Sequence, residues 1–277
     1  MRILTFGYDS ALIDSAATPS IQHYARALFD SLNSERKGEN VCMRAWAGFV
    51  WTSVDRRLQE RSRPIIFIGH SLGGLVIKQV GYLALLTSTI DSHHQQALAD
   101  ASQAIYENDA AILGSCIGLF FFGVPNRGLN VENLRTLVKD QKNEHFINDL
   151  REGSELLRQA YQRFLQGVEL KGCQITSFFE LRDTQAVVLR PDGTWKRSGE
   201  MTRVVTKESA TFSLPSEAIH MQLGIDADHS NMVKFADNCD HHYIRVRDRL
   251  MECVGNAPNI IEARLEGVIT GGNHEGT

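Results

Sequence analysis

Gly69-His70-Ser71-Leu72-Gly73 holds a hydroxyl between two glycines, and its flanks decide what that hydroxyl can do. A serine hydroxyl is a poor nucleophile until a neighbouring base takes its proton, so the chemistry at issue is attack on an acyl carbonyl with imidazole as base. Upstream, Pro64-Ile65-Ile66-Phe67-Ile68 is a short run of β-branched and aromatic residues that reads as a buried strand. Downstream, Gly74 to Val80, continued by Leu83, Leu85 and Leu86, reads as a mostly buried helix. Strand, tight G-x-S-x-G turn and helix together are the setting of a nucleophile elbow. The glycines let the chain turn sharply and push Ser71 onto a strained corner beside the helix N-terminus. The plainer alternative is a glycine-rich turn whose serine only caps the helix.

An activated Ser71 requires an acid and then a histidine further along the chain. Ten histidines are too many for counting to choose among, so position has to decide. Asp228-His229-Ser230 falls in a loop after the last expected strand, where it would lie beside the elbow at the carboxyl ends of the strands. His241-His242 falls inside the final helix, where a satisfied or solvated role is expected. For the acid, Glu180 directly follows the expected strand Ile175 to Phe179. Asp183 stands three residues on, and Glu208 follows the next strand. Any of the three carboxylates could hold the histidine tautomer and stabilise its cation.

These residues depend on an alternating series of elements. Arg2 to Phe6 reads as a strand, and Ser20 to Ser34 as a helix, with Ile21, Tyr24, Ala25, Leu28 and Leu32 on one face and Ser20 as N-cap. Met43 to Glu60 reads as a further helix and Asp91 to Asp109 as a polar, exposed insert. Ile117 to Val124 is apolar on both faces, as a central parallel strand should be, and Pro125-Asn126-Arg127-Gly128 ends it. Val131 to Leu165 is amphipathic with helical period and suits a cap or outer layer. Arg190-Pro191-Asp192-Gly193-Thr194 reads as a turn within a polar excursion. Thr202 to Thr206 is the expected last strand, and Asn231 to Val254 carries the last helix. The order implies one three-layer α/β domain with a mostly parallel sheet over residues 1–266, and a disordered tail over 267–277.

Composition narrows the classes. The 277 residues are 43% hydrophobic, enough for one large core, and the net charge of −4 gives no basic field for nucleic acid. Arg56, Arg57, Arg61 and Arg63 read as a solvated helix end. Cys42, Cys116, Cys173, Cys239 and Cys253 show neither a C-x-x-C pair nor zinc-ligand spacing, so no metal is expected and the protein reads as reduced and intracellular. No secretory leader precedes Ile3, and no apolar run approaches the roughly 18 residues of a membrane span. A soluble or peripherally bound protein is expected.

Several segments, in order, resemble the lipase-like serine esterases typified by the serine-active-site-containing proteins. Relatives include the hydrolase domains at the N-termini of fungal NLR-like proteins. The segments are Arg2-Ile3-Leu4-Thr5-Phe6-Gly7-Tyr8-Asp9-Ser10, the elbow with Gly74-Leu75-Val76-Ile77-Lys78, Phe120 to Gly128, Ser177 to Glu180, Val204 to Ala210 and Asp228 to Phe235. The resemblance implies an α/β-hydrolase fold, a triad of Ser71, Glu180 and His229, no cofactor, and an acyl-ester or lipid substrate. It also implies membrane contact at mitochondria or endoplasmic reticulum. In that family a strand ending in His-Gly-Leu precedes the counterpart of Arg2 to Gly7 and supplies half of the oxyanion hole. This sequence starts after it, so the fold is expected to be N-terminally shortened, with one sheet edge open to a partner. The backbone N–H of Leu72 would remain as one oxyanion donor, and losing the other typically costs on the order of 10² to 10³ in turnover. Asn126 stands where the family has histidine. The alternatives are a weakly active or inactive hydrolase-fold module used for interaction or signalling, and a fragment of a longer hydrolase.

Overall fold

The computed structural model describes residues 2–8, 20–38, 63–88, 112, 114–132, 144–167, 173–192, 194–212 and 221–271. In chain order its elements are α1 (Ile21–Gly38), β1 (Ile65–His70), α2 (Leu72–Ser88), β2 (Cys116–Phe122), α3 (Glu144–Asp149), α4 (Glu155–Gly167), β3 (Gln174–Glu180), β4 (Thr184–Leu189), β5 (Trp195–Thr202), α5 (Lys207–Ala210), β6 (Gln222–Ile225) and α6 (His241–Gly271). The expected helices at Met43–Glu60 and the insert at Asp91–Asp109 lie outside the described residues, as do Cys42, Arg56, Arg57 and Arg61.

Four strands form a wholly parallel sheet in the order β1-β2-β3-β6. Every residue of β2 is buried, because the strand has a neighbour on each edge and helices over each face. On one face Leu119, Phe121 and Ile175 pack with Ala25 and Phe29 of α1, Leu75, Val76 and Val80 of α2, and Leu157 and Phe164 of α4. On the other, Phe120, Phe122, Phe178 and Leu223 pack with Val246, Cys253 and Ala257 of α6. Helices therefore cover both faces, giving three layers. Each fully buried phenylalanine contributes about 1.5–3 kcal/mol, so this run of aromatics supplies much of the driving force. Gly118 lets α6 come close, since a Cβ there would sit 2.5 Å from Cys253 Sγ. Cys116 and Cys173 are buried free thiols, as expected, with their sulfurs 3.9 Å apart.

The structure departs from the sequence reading at four places. Arg2 to Phe6 is not a strand: residues 2–8 make no ladder and are held by side chains, Arg2 to Glu35 at 2.5 Å and Tyr8 on Tyr24 with ring centroids 4.6 Å apart. Thr202 to Thr206 is not the last parallel strand. Its first residue closes β5, which pairs antiparallel with β4 around the expected turn, where Arg190 N–H donates to Thr194 O at 2.8 Å. The residues after it curl into α5, whose N-cap Thr206 accepts the Ser209 N–H. The last parallel strand is β6 instead. The final helix starts at His241 rather than Asn231. Asp228 takes the N–H groups of Ser230 and Asn231 in a turn, and Asp240 takes that of His242. Within Val131 to Leu165 the described residues form α3 and α4, with Gly153 at φ +73° between them, while residues 133–143 lie outside the described residues. Finally, α6 runs to Gly271, into the segment read as tail.

Lys78 is the unusual member of the core. Only 2% exposed, it donates to Asn126 Oδ1 and lies 5.8 and 5.6 Å from the ring centroids of Phe164 and Phe212. Burial pushes its pKa down to about 7. The unfolded chain therefore binds one more proton than the folded one between that value and the ordinary lysine range, and stability rises with pH across the interval. Urea unfolding of the native protein and Lys78→Met between pH 7 and 9 should show the native protein gaining on the variant. The limiting slope is about 1.4 kcal/mol per pH unit. A difference that stays flat would mean that Lys78 is not buried as a strained cation.

Candidate active site

Ser71 is the single residue between β1 and α2, and it is held at φ +51°, a left-handed conformation that costs a non-glycine residue on the order of 1–3 kcal/mol. The surroundings enforce it. Ser71 N–H donates to Phe122 O at 2.8 Å, and Gly74 N–H to Ser71 O at 3.1 Å. A Cβ on Gly69 would lie 2.8 Å from the Gly74 backbone, and one on Gly74 only 2.1 Å from Val124 Cγ2. Gly73, the second glycine of the G-x-S-x-G pattern, is under no such demand, since its Cβ would meet nothing closer than 3.6 Å. The steric pair is thus Gly69 with Gly74. Leu72 opens α2, so its N–H is among those that a helix N-terminus leaves without an intrahelical acceptor.

His229 reaches this serine from the loop after β6. Its Nε2 stands 3.0 Å from Ser71 Oγ, and its Nδ1 2.9 Å from Glu180 Oε2. Glu180 ends β3 with its side chain fully buried. Its other oxygen accepts the N–H groups of Val204 and Val205 at 2.8 and 3.0 Å. A carboxylate so held is an acceptor towards Nδ1, which fixes the proton there and leaves Nε2 free to take one from Ser71. Three further groups set the histidine. Its N–H donates to Thr184 Oγ1 at 3.2 Å, and its carbonyl accepts from His70 Nε2 at 2.9 Å. Burial, then the neighbouring His229, lower the His70 pKa, which suits a neutral ring donating through Nε2. Gly123 lies against the His229 ring, where a Cβ would come within 3.0 Å of Cε1 and Nδ1.

The structure thus brings Ser71, Glu180 and His229 together and leaves the other candidate acids elsewhere. Asp183 pairs with Arg203 at 2.8 Å, and Glu208 sits exposed in the first turn of α5. His242 accepts the Asp226 N–H at the start of α6. Asn126 is fully buried against Lys78, consistent with a structural role. No group of three or more metal-ligating side chains occurs among the described residues. Sequence reasoning missed Thr184, Gly123, His70 and the two valine N–H groups. Only Gly123 left a local signal, a glycine closing a hydrophobic strand. Comparison with family models, with curated proteins and with solved structures finds no match.

The contrast between Gly74 and Gly73 is directly testable. Gly74→Ala should cost about 1–3 kcal/mol through the clash with Val124. Gly73→Ala should leave stability within about 0.5 kcal/mol or raise it through helix propensity. Thermal unfolding of both variants would show the contrast, and equal losses would refute it.

Proposed function

We propose that this chain is a serine hydrolase of ester bonds, with Ser71 as nucleophile, His229 as general base and Glu180 as the acid that orients it. The observation that carries the reading is the unbroken line from Ser71 Oγ through His229 to a carboxylate that is buried and doubly anchored by backbone N–H groups. A lipase-like α/β-hydrolase fold belongs to the same reading. Support comes from the parallel sheet, from the elbow after β1, and from the chain order serine, acid, histidine.

In the mechanism, His229 Nε2 takes the Ser71 proton as Oγ attacks the acyl carbonyl. Glu180 stabilises the imidazolium, and the Leu72 N–H donates to the developing oxyanion. Nε2 then returns its proton to the departing alkoxide, leaving an acyl-serine. Water, deprotonated by the same nitrogen, releases the acid. The substrate class is a carboxylic or lipid ester. No helix among the described residues is long and apolar enough to cross a membrane, so a lipid substrate would be met by peripheral contact. A partner strand along the outer side of β1 fits the same reading, since that strand has one described neighbour and Ile68 on it is 56% exposed.

Covalent labelling with a fluorophosphonate probe tests the proposal. The native protein should label, and Ser71→Ala and His229→Ala should not, although both stay folded. Glu180→Gln is expected to lose on the order of 10³ to 10⁴ in turnover of a short acyl ester. Its single carbonyl oxygen would stay with Val204 and Val205, turning the amide NH₂ towards Nδ1 and favouring the wrong tautomer. Labelling that persists in Ser71→Ala would overturn the assignment.

A further inference from the structure

Among the described residues the Leu72 N–H is the donor next to Ser71 that an oxyanion can use, and no described strand borders the outer side of β1. Residues 2–8 come to the elbow at their last residue. The Tyr8 hydroxyl lies 3.6 Å from the point where a Cβ on Gly73 would stand. Gly73 is the second residue of α2, and helical Cα–Cβ bonds tilt towards the N-terminus. The hydroxyl therefore stands beside the first turn of α2, the turn that Leu72 opens directly after Ser71.

The ring that carries this hydroxyl is packed against two aromatic neighbours, and among the described residues the hydroxyl has no hydrogen-bond partner. Tyr24 packs on the ring with centroids 4.6 Å apart, and Phe6 flanks it at 6.1 Å. Tyr8 is half buried, and its hydroxyl oxygen is not among the buried side-chain atoms left without a partner, so it remains open to an incoming group.

We infer that the Tyr8 hydroxyl is the second oxyanion donor of this site, a role that rests on the serine hydrolase reading above. When Ser71 Oγ bonds to the acyl carbon, the carbonyl π pair moves onto oxygen. That oxygen is shared between Leu72 N–H and Tyr8 O–H at about 2.7–3.1 Å from each donor. Two donors sharing one acceptor stand no more than about 6 Å apart, a span that the contact with Gly73 allows. Tyr8 donates a hydrogen bond and keeps its proton. Burial first, and Tyr24 second, raise its pKa, so it stays a donor at neutral pH. Because the bond strengthens as charge develops, its effect falls on the chemical step rather than on substrate binding.

Tyr8→Phe tests this, because it preserves the ring contacts with Tyr24 and Phe6 and removes only the O–H. On a short acyl ester, kcat should fall about 10²-fold, with KM within about twofold and the unfolding temperature unchanged. Affinity for a trifluoromethyl ketone, which forms a tetrahedral oxyanion on the serine, should fall by a similar factor. A merely structural tyrosine would move KM or the unfolding temperature and spare the ketone's relative affinity. If labelling is lost in Ser71→Ala but Tyr8→Phe keeps full kcat and ketone affinity, this inference alone fails. If the native protein neither labels nor turns over ester, both readings fail.

Discussion

The Glu180 carboxylate, buried at the end of β3, is the constraint around which the site is arranged. A charge taken out of water costs several kcal/mol unless its lone pairs are engaged. Here one oxygen takes two backbone N–H groups and the other faces the imidazole of His229. Charge-assisted bonds of this kind are worth about 1.5–3 kcal/mol each, enough to offset much of that cost. The price falls on the backbone: Val204 and Val205 cannot give the same N–H groups to a sheet. The chain leaves β5 there, turns past Glu180 and is stopped by the Thr206 cap of α5. Arg203 fastens the turn from outside, donating to the carbonyls of Glu180 and Leu181 and pairing with Asp183.

This explains what could and could not be read from the sequence. The elbow, β2 and the buried face of α1 were legible because each is fixed by its own local pattern. Those patterns are β-branched runs, flanking glycines and an apolar residue every third or fourth position. Ser71, Glu180 and His229 were legible by position, since a strand end or the loop after a strand is where such groups work. Thr202–Thr206 misled because its β-branched residues favour a strand while its donors are taken by a carboxylate more than 20 residues earlier. That is a tertiary competition, and propensity contains no trace of it. The start of α6 misled for the same kind of reason: Asp228, Asp237 and Asp240 bind nearby N–H groups and keep residues 228–240 out of a helix. Arg2–Phe6 has strand-like composition, but composition needs a ladder partner to become a strand.

The elbow and the acid are coupled through the sheet. Ser71 N–H bonds Phe122 O, and Gly123 N–H bonds Phe178 O, so the ends of β1, β2 and β3 are tied in register just below the reacting groups. Phe122 and Phe178 stack between those ties with centroids 4.1 Å apart and ring planes 7° from parallel. The distance from Ser71 to Glu180 is therefore set by two inter-strand spacings and by one stacked pair at the centre of the core. It does not depend on a loop. Of Ser71, Glu180 and His229, the histidine is the one on a loop. It is also the one with extra fastenings, from Thr184 on its N–H, from His70 on its carbonyl and from Gly123 against its ring.

That division of labour has a physical reason. Ser71 must hold a strained φ, which only a rigid surrounding can sustain, so it is placed where sheet and helix meet. Glu180 is shut away from water, and its carboxyl sits where backbone donors converge. In the proposed reaction His229 accepts and returns a proton within one turnover, which requires its ring to keep both hydrogen bonds while its charge changes. A ring gripped through its backbone, with its edge free towards the serine, can do that. Gly123 matters most here, because any side chain at that position would push the ring off the line between Glu180 and Ser71. Its positive φ of 53° and its contact with the imidazole are two demands met by one residue, and only glycine meets both.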